Sequence, residues 1–168
     1  LALDEAGEVG LTFTENDARR VRDMAGDAGM ELFSLATGLY WRYSLTDNDP
    51  AVRRKAAEIA KKQIDAAAWL GCDTILLLPG TVDADVPYDV AYGRALEAVG
   101  SLAGFAQARG VAIGVENVWN KFLLSPLEMR DFIDRAGSPF VKAYFDIGNV
   151  VRDGYPEQWI RILGPRIA

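Results

Sequence analysis

One phrase repeats along this chain and limits what it can become: a helical segment, then a glycine, then a short apolar run. It reads "DAGMELFSLAT", "WLGCDTILLLP", "ARGVAIGVE" and "RAGSPFVKAYFD", with Gly29, Gly71, Gly110 and Gly137 at the joins, and "LGPRIA" at Gly164 opens a fifth copy. Glycine suits the position just past a helix end, where the backbone turns left-handed and a Cβ would be strained. The apolar runs place strands at Leu32–Ala36, Thr74–Leu78, Val111–Val115 and Val141–Phe145, and Leu1–Leu3 reads as the tail of another. Apolar on both faces, they read as buried parallel strands covered by helices. Each repeat is one α-then-β unit, so the fold class is α/β.

Helix starts are as legible as the stops. Thr14 with Asp17 makes a capping-box pattern ahead of "ENDARRVRDMAGDA". Asp49 followed by Pro50 opens a long helix through about Leu70, with the proline where its missing N–H does no harm. Ser125-Pro126-Leu127-Glu128 combines a capping serine, a first-turn proline and a glutamate at the third position, and Pro156 begins "PEQWIRIL". Two architectures accommodate this alternation, an open doubly wound sheet and a (β/α)8 barrel. No G-x-G-x-x-G follows a strand, which weakens the dinucleotide-binding version of the first. In a barrel, function gathers on the loops after the strand C-termini. The polar residues stand in those places: Asp4-Glu5, Thr37 to Tyr43, Pro79 to Asp85, Glu116 to Lys121 and Asp146 to Asn149. The asymmetry favours one working face.

Composition removes several functions. With 168 residues, half hydrophobic and a quarter charged, the chain can bury the core of a single domain, spanning residues 1–168. No apolar stretch reaches the roughly 20 residues of a membrane span. A net charge of −6 argues against a nucleic-acid surface, which needs clustered Lys and Arg. The single cysteine, Cys72, excludes an internal disulfide framework, fits a reducing cytoplasm, and reads as a small buried hydrophobe. There is no histidine, so Ser-His-Asp and Cys-His catalysis and a His-based zinc site are absent from this chain.

Carboxylates, amides, Lys, Arg and Tyr remain for chemistry. Glu116 and Asp146 each close an apolar run, and neighbouring strands lie about 5 Å apart. Side chains at matching strand ends can therefore converge on one hard divalent cation, Mn²⁺ or Mg²⁺ first, with Zn²⁺ and Co²⁺ after them. The alternative reading is that each carboxylate caps the loop or helix that follows. Trp69 and Trp159 fall on helical apolar spacing and read as core.

The stretch "GVENVWNKFLLSPLEMRDFIDRAGSPFVKAYFDIGNVVRDGYPEQWIRILG", with "LATGLYWRYSLT" and "DTILLLPG", strongly resembles the xylose isomerase-like TIM barrels, in particular their sugar-phosphate isomerase/epimerase group. The resemblance runs over essentially the whole chain. It implies an incomplete (β/α)8 TIM barrel, roughly strands 2 to 6 with their helices, both ends of the barrel being missing. In that family a glutamate after the fifth strand and an aspartate after the sixth bind one divalent metal, positions matched by Glu116 and Asp146. The family's other ligands, a histidine after the seventh strand and a glutamate after the eighth, have no counterpart here. The resemblance also implies that Glu116 is catalytic, moving a proton beside a carbonyl.

The loop behind Glu116 would then hold a polyol. Asn117 and Asn120 can donate to and accept from hydroxyls, and Trp119 can shield an intermediate from water. Lys121 could meet a phosphate or stand solvated. Asn149 occupies a place where many relatives carry a substrate-contacting histidine, and Trp41, with Arg42, is a candidate for the far wall. The function implied is a metal-dependent sugar or sugar-phosphate isomerase/epimerase working through an enediolate. Its partner is a small sugar or sugar phosphate, with no nucleic acid and no membrane. The alternatives are an abasic-site endonuclease relative and a non-catalytic partial barrel forming a homo-oligomer through open sheet edges.

Overall fold

Three of the expected helix starts carry the side-chain cap their sequence promises. In the computed structural model, which describes residues 1–168, Thr14 N–H donates to Asp17 Oδ2 (2.9 Å) and Asp17 N–H returns the bond to Thr14 Oγ1 (3.4 Å), opening α1 at Glu15–Asp27. Asp49 accepts from Ala51 N–H at 2.7 Å ahead of α2, Pro50–Leu70. Ser125 accepts from Glu128 N–H at 3.2 Å ahead of α4, Pro126–Ala136. The remaining helices are α3 at Tyr88–Gln107, the single turn α5 at Ile147–Val150, and α6 at Pro156–Leu163. Gly29, Gly71, Gly110 and Gly137 all take φ between 65° and 79°, the left-handed exit that their repeat predicts.

Five strands alternate with these helices and pair in parallel in chain order: β1 Ala2–Leu3, β2 Ser34–Thr37, β3 Thr74–Leu77, β4 Ala112–Glu116 and β5 Val141–Tyr144. This is the five-strand portion of a TIM barrel that the sequence implies. Four strands fall within a residue of their expected bounds at each end. β2 is shifted: the strand begins at Ser34, level with Thr74, and Leu32 and Phe33 lie outside it, Phe33 being 72 % exposed.

The expectation of two equally buried faces is corrected. Leu35, Thr37, Ile75, Leu77, Ile113, Val115, Val141 and Ala143 are buried, while the alternating Ser34, Ala36, Leu76, Ala112, Glu116, Lys142 and Tyr144 are only half-buried. The period of two follows from the pleat. Helices α2, α3 and α4 pack on β2 through β5 and seal one face, and the other is the concave interior of the barrel wall.

That concavity shows in one bond. Tyr144 OH and Ser34 Oγ meet at 2.9 Å although β3 and β4 lie between their strands. A flat sheet would set β2 and β5 about 14 Å apart with side chains standing perpendicular to it, out of reach of each other. The Tyr144 ring crosses above Gly114, where a Cβ would come within 3.0 Å of Tyr144 Cβ and Cδ2 and of Ile75 O. Past β5, Ile167 forms a parallel bridge to Ala143, and Ala168 N–H donates to Ala143 O at 2.9 Å, on the outer edge of β5. No helix is long and apolar enough to cross a membrane.

Three strand-to-helix loops are tied together at the C-terminal rim. Thr46 Oγ1 donates to Thr81 O (2.8 Å) and accepts from Thr81 N–H (2.9 Å). Asn120 Nδ2 donates to Gly80 O at 2.6 Å, and Val82 N–H to Asn120 O at 3.1 Å. Gly80 has φ of 143°, and a Cβ there would overlap Thr46 Cγ2. Gly80→Ala should therefore cost about 2–4 kcal/mol of unfolding free energy in urea denaturation. Adding Thr46→Ser should recover part of that loss, because the overlapping methyl is gone; a loss within about 0.5 kcal/mol, the range of neutral surface substitutions, would contradict the packing described.

Candidate active site

Glu116 is the last residue of β4 and stands level with Tyr144, the last residue of β5. Asp146 follows two residues later, so it lies beyond the strand rather than at its end as the sequence suggests. What brings it back beside Glu116 is Asn117. The Asn117 amide donates through Nδ2 to Asp146 O and accepts through Oδ1 from Asp146 N–H, both at 2.8 Å. A primary amide offers the same donor and acceptor as a peptide unit, so this side chain prolongs the β4–β5 ladder by one step. Asp146 Oδ1 accepts from Asn149 N–H (2.9 Å) and caps α5, which is the second of the two roles weighed for it. Asn149 Nδ2 closes the ring by donating to Asn117 O at 3.0 Å.

Glu116 is left without a protein partner. It is half-buried, and no side chain or backbone N–H donates to its carboxylate among the hydrogen bonds of the structure. Burial first, and the neighbouring Asp146 charge second, push its pKa up to about 7. A half-buried carboxylate with no donor, near enough to the Asp146 carboxylate just past β5 to be raised by its charge, is a donor set that a hard cation would satisfy. These two oxygen donors fit part of such a shell, and no third Asp, Glu or Cys side chain joins them.

The other candidates separate into two groups. Asn117 (buried), Trp119, Lys121 and Asn149 line one cavity of about 420 Å³ between the β4–α4 loop and the segment after β5. Trp119 is exposed, and its indole N–H donates to Asn149 O at 3.2 Å. Asn120 and Trp41 are not brought there. Asn120 is buried, with Nδ2 on Gly80 O and Oδ1 accepting from Phe122 N–H at 3.2 Å, so both ends of its amide serve the loops. Trp41 is exposed on the helical turn Leu39–Trp41 after β2, beside the Arg42–Glu5 ion pair. Residues not singled out beforehand also line the cavity: Arg152, Asp153 and Gly154 follow α5, and Trp159, expected only as core, presents an edge to it. The polar run "RDG" after the sixth-strand aspartate is the signal that could have found the first three. Cys72 is buried, which raises its thiol pKa, as a structural residue would be.

The raised Glu116 carboxyl has a consequence for folding in the metal-free protein. Its folded pKa lies above the unfolded one, so the folded state binds the proton more tightly and ionisation works against folding. Stability is then favoured below pH 4.5 and lost as pH rises to about 7. Glu116→Gln should remove that slope and exceed the parent in stability above the window, by up to about 3 kcal/mol, in urea denaturation on either side of it. An unchanged slope in the variant would show that Glu116 is not the titrating group.

Comparison with known proteins agrees with this architecture. Residues 2–168 match the family model for the xylose isomerase-like TIM barrel. A 2-epi-5-epi-valiolone 7-phosphate 2-epimerase from Actinoplanes sp. is 29% identical over 143 residues, covering 85% of this chain and 49% of that protein. A Haemophilus influenzae protein provisionally assigned as an L-ribulose-5-phosphate 3-epimerase is 25% identical over 163 residues, 89% of this chain and 53% of the other. The chain thus spans about half the length of the curated relatives it matches. The crystal structure of D-psicose 3-epimerase in the presence of D-fructose superposes with a TM-score of 0.82 at 22% identity, over 94% of this chain and 57% of that one, a likeness of fold. Five parallel strands in barrel order and a family match from end to end lead to one assignment: the chain belongs to the xylose isomerase-like TIM-barrel family.

Proposed function

We propose that this chain forms the acid–base side of a sugar or sugar-phosphate isomerase/epimerase. The observation that supports the reading is Glu116 itself, half-buried at the end of β4, free of protein donors and close enough to Asp146 to be raised by its charge. The sequence relatives are named as epimerases of phosphorylated compounds, which supports the same chemistry here.

Glu116 acts as the proton carrier. A carboxylate whose pKa is raised to about 7 takes a proton from carbon more readily than an ordinary one, and can return it near neutral pH. In the step, the C–H bond next to the substrate carbonyl breaks, its proton bonds to a Glu116 oxygen, and the electron pair left behind forms an enediolate. Return of a proton to the opposite face inverts the carbon, the second acid being the role the family gives to a glutamate after the eighth strand. Glu116 and Asp146 would hold a divalent cation, Mn²⁺ or Mg²⁺ by donor hardness, which when bound supplies polarisation of the substrate oxygens. Asp146 keeps its place through Asn117, and Trp119 stands at the entrance to limit water. An acidic chain without histidine gives the abasic-site endonuclease reading no comparable support.

The test is solvent exchange at carbon. The protein, incubated in D₂O with a ketose or ketose phosphate and Mn²⁺, should incorporate deuterium beside the carbonyl. Glu116→Gln should slow this by about 10²–10⁴-fold. Bound Mn²⁺ should fall in both Glu116→Gln and Asp146→Asn; metal content equal to the parent's in both variants would remove the pair from the site.

A further inference from the structure

The cavity beside the acids carries features that proton transfer does not use. Its floor includes Trp159, only 8 % exposed, stacked on Phe145 with ring centroids 5.8 Å apart. The Trp159 indole N–H donates to no protein acceptor. No fully buried side-chain nitrogen or oxygen lacks a partner, so this N–H reaches accessible surface, on a residue that lines the cavity. It lies beside Gly154, where an added Cβ would sit 3.8 Å from Nε1. Two cations face the same space. Lys121 makes no ion pair, and Arg152 has only a loose contact with Asp153 at 3.8 Å while its guanidinium lies 5.7 Å from the Trp119 ring centroid.

Lys121 is also held in an unfavourable backbone state. Lys121 and Leu123 are the two non-glycine residues of positive φ, at 59° and 53°. Such conformations are unfavourable for residues with a Cβ and persist only where the surroundings over-determine them. Here they do. Asn120 anchors one side through Gly80 O and Phe122 N–H, Tyr88 OH accepts from Leu123 N–H (3.0 Å), and Glu128 Oε2 accepts from Leu124 N–H (2.9 Å). Tyr88 OH donates in turn to Glu128 at 2.6 Å. The loop is braced around a lysine that has nothing of its own to bind.

We propose that this cavity is the subsite for the phosphate of a phosphorylated sugar, with Lys121 and Arg152 as its cationic walls and the Trp159 N–H as its buried donor. It deepens the isomerase/epimerase reading and rests on it for the sugar. Two cations against the one carboxylate of Asp153 favour an anion. The volume suits a ligand of this size. Neither Glu116 nor Asp146 lines this cavity, but Asn117, which follows Glu116 in the chain and clamps Asp146, does, so the subsite adjoins the acids through that residue.

Calorimetric titration of the protein with a ketopentose 5-phosphate, its unphosphorylated parent and inorganic phosphate tests this directly. The ester should bind at least about tenfold more tightly than either of the others. Lys121→Gly and Arg152→Gln should each weaken the ester by about tenfold and leave the parent sugar unchanged. Lys121→Gly should also hold or raise the thermal midpoint, since glycine accepts the positive φ, which separates ligand loss from unfolding. Ester affinity unchanged in both variants would overturn the assignment, and so would parent sugar or inorganic phosphate binding as tightly as the ester. Ester binding through Lys121 and Arg152 in a protein that exchanges no deuterium would keep the subsite and reject the epimerase reading instead.

Discussion

The site depends on the curvature of the sheet. Five parallel strands of two to five residues cannot by themselves gather distant side chains, because a flat sheet points them all the same way. Here the helices seal one face with the alternating residues Leu35, Ile75, Ile113 and Val141 and their neighbours, and the sheet curls away from them. The curl is visible in the Tyr144–Ser34 hydrogen bond and is permitted by the missing side chain at Gly114. Once the wall is concave, the rim becomes the place where loops from separate strands converge. Thr46, Gly80 and Asn120 lock three of those loops to one another, and Glu116 at the end of β4 and Asp146 just past β5 then share a fixed frame.

Within that frame, polar groups divide the labour between holding and reacting. Asn117, Asn120, Tyr88 and Glu128 are engaged on backbone groups or on each other, and so set geometry. Glu116, Lys121 and the Trp159 N–H have no such engagement, and Lys121 and Trp159 line the cavity beside the rim. In a protein where every fully buried polar side-chain atom has a partner, groups left free at the surface of a cleft stand out as the ones available to a ligand.

Much of this was legible in the residues, and the misses have physical causes. Helix boundaries marked by Thr14, Asp49, Ser125 and the glycines follow local hydrogen bonding, which a short stretch of sequence contains in full. The start of α3 carried no such mark, because its N-cap is Pro87, whose side chain makes no capping bond. The half-buried concave face was missed because small residues such as Ala36, Ala112 and Gly114 read as apolar whichever way they point. The division of the five asparagine and tryptophan candidates was also out of reach. Asn117 and Asn120 are three residues apart in one loop, and only tertiary pairing distinguishes a brace between strands from a brace between loops.

The Asn117 clamp grips the main chain of Asp146, not its carboxylate. The location of residue 146 is thereby uncoupled from the identity of its side chain. A descendant sequence could exchange the acid for another functional group and inherit the same coordinates for it. One amide thus acts as a socket, making the rim a place where new reactivity can be tried without rebuilding the wall beneath.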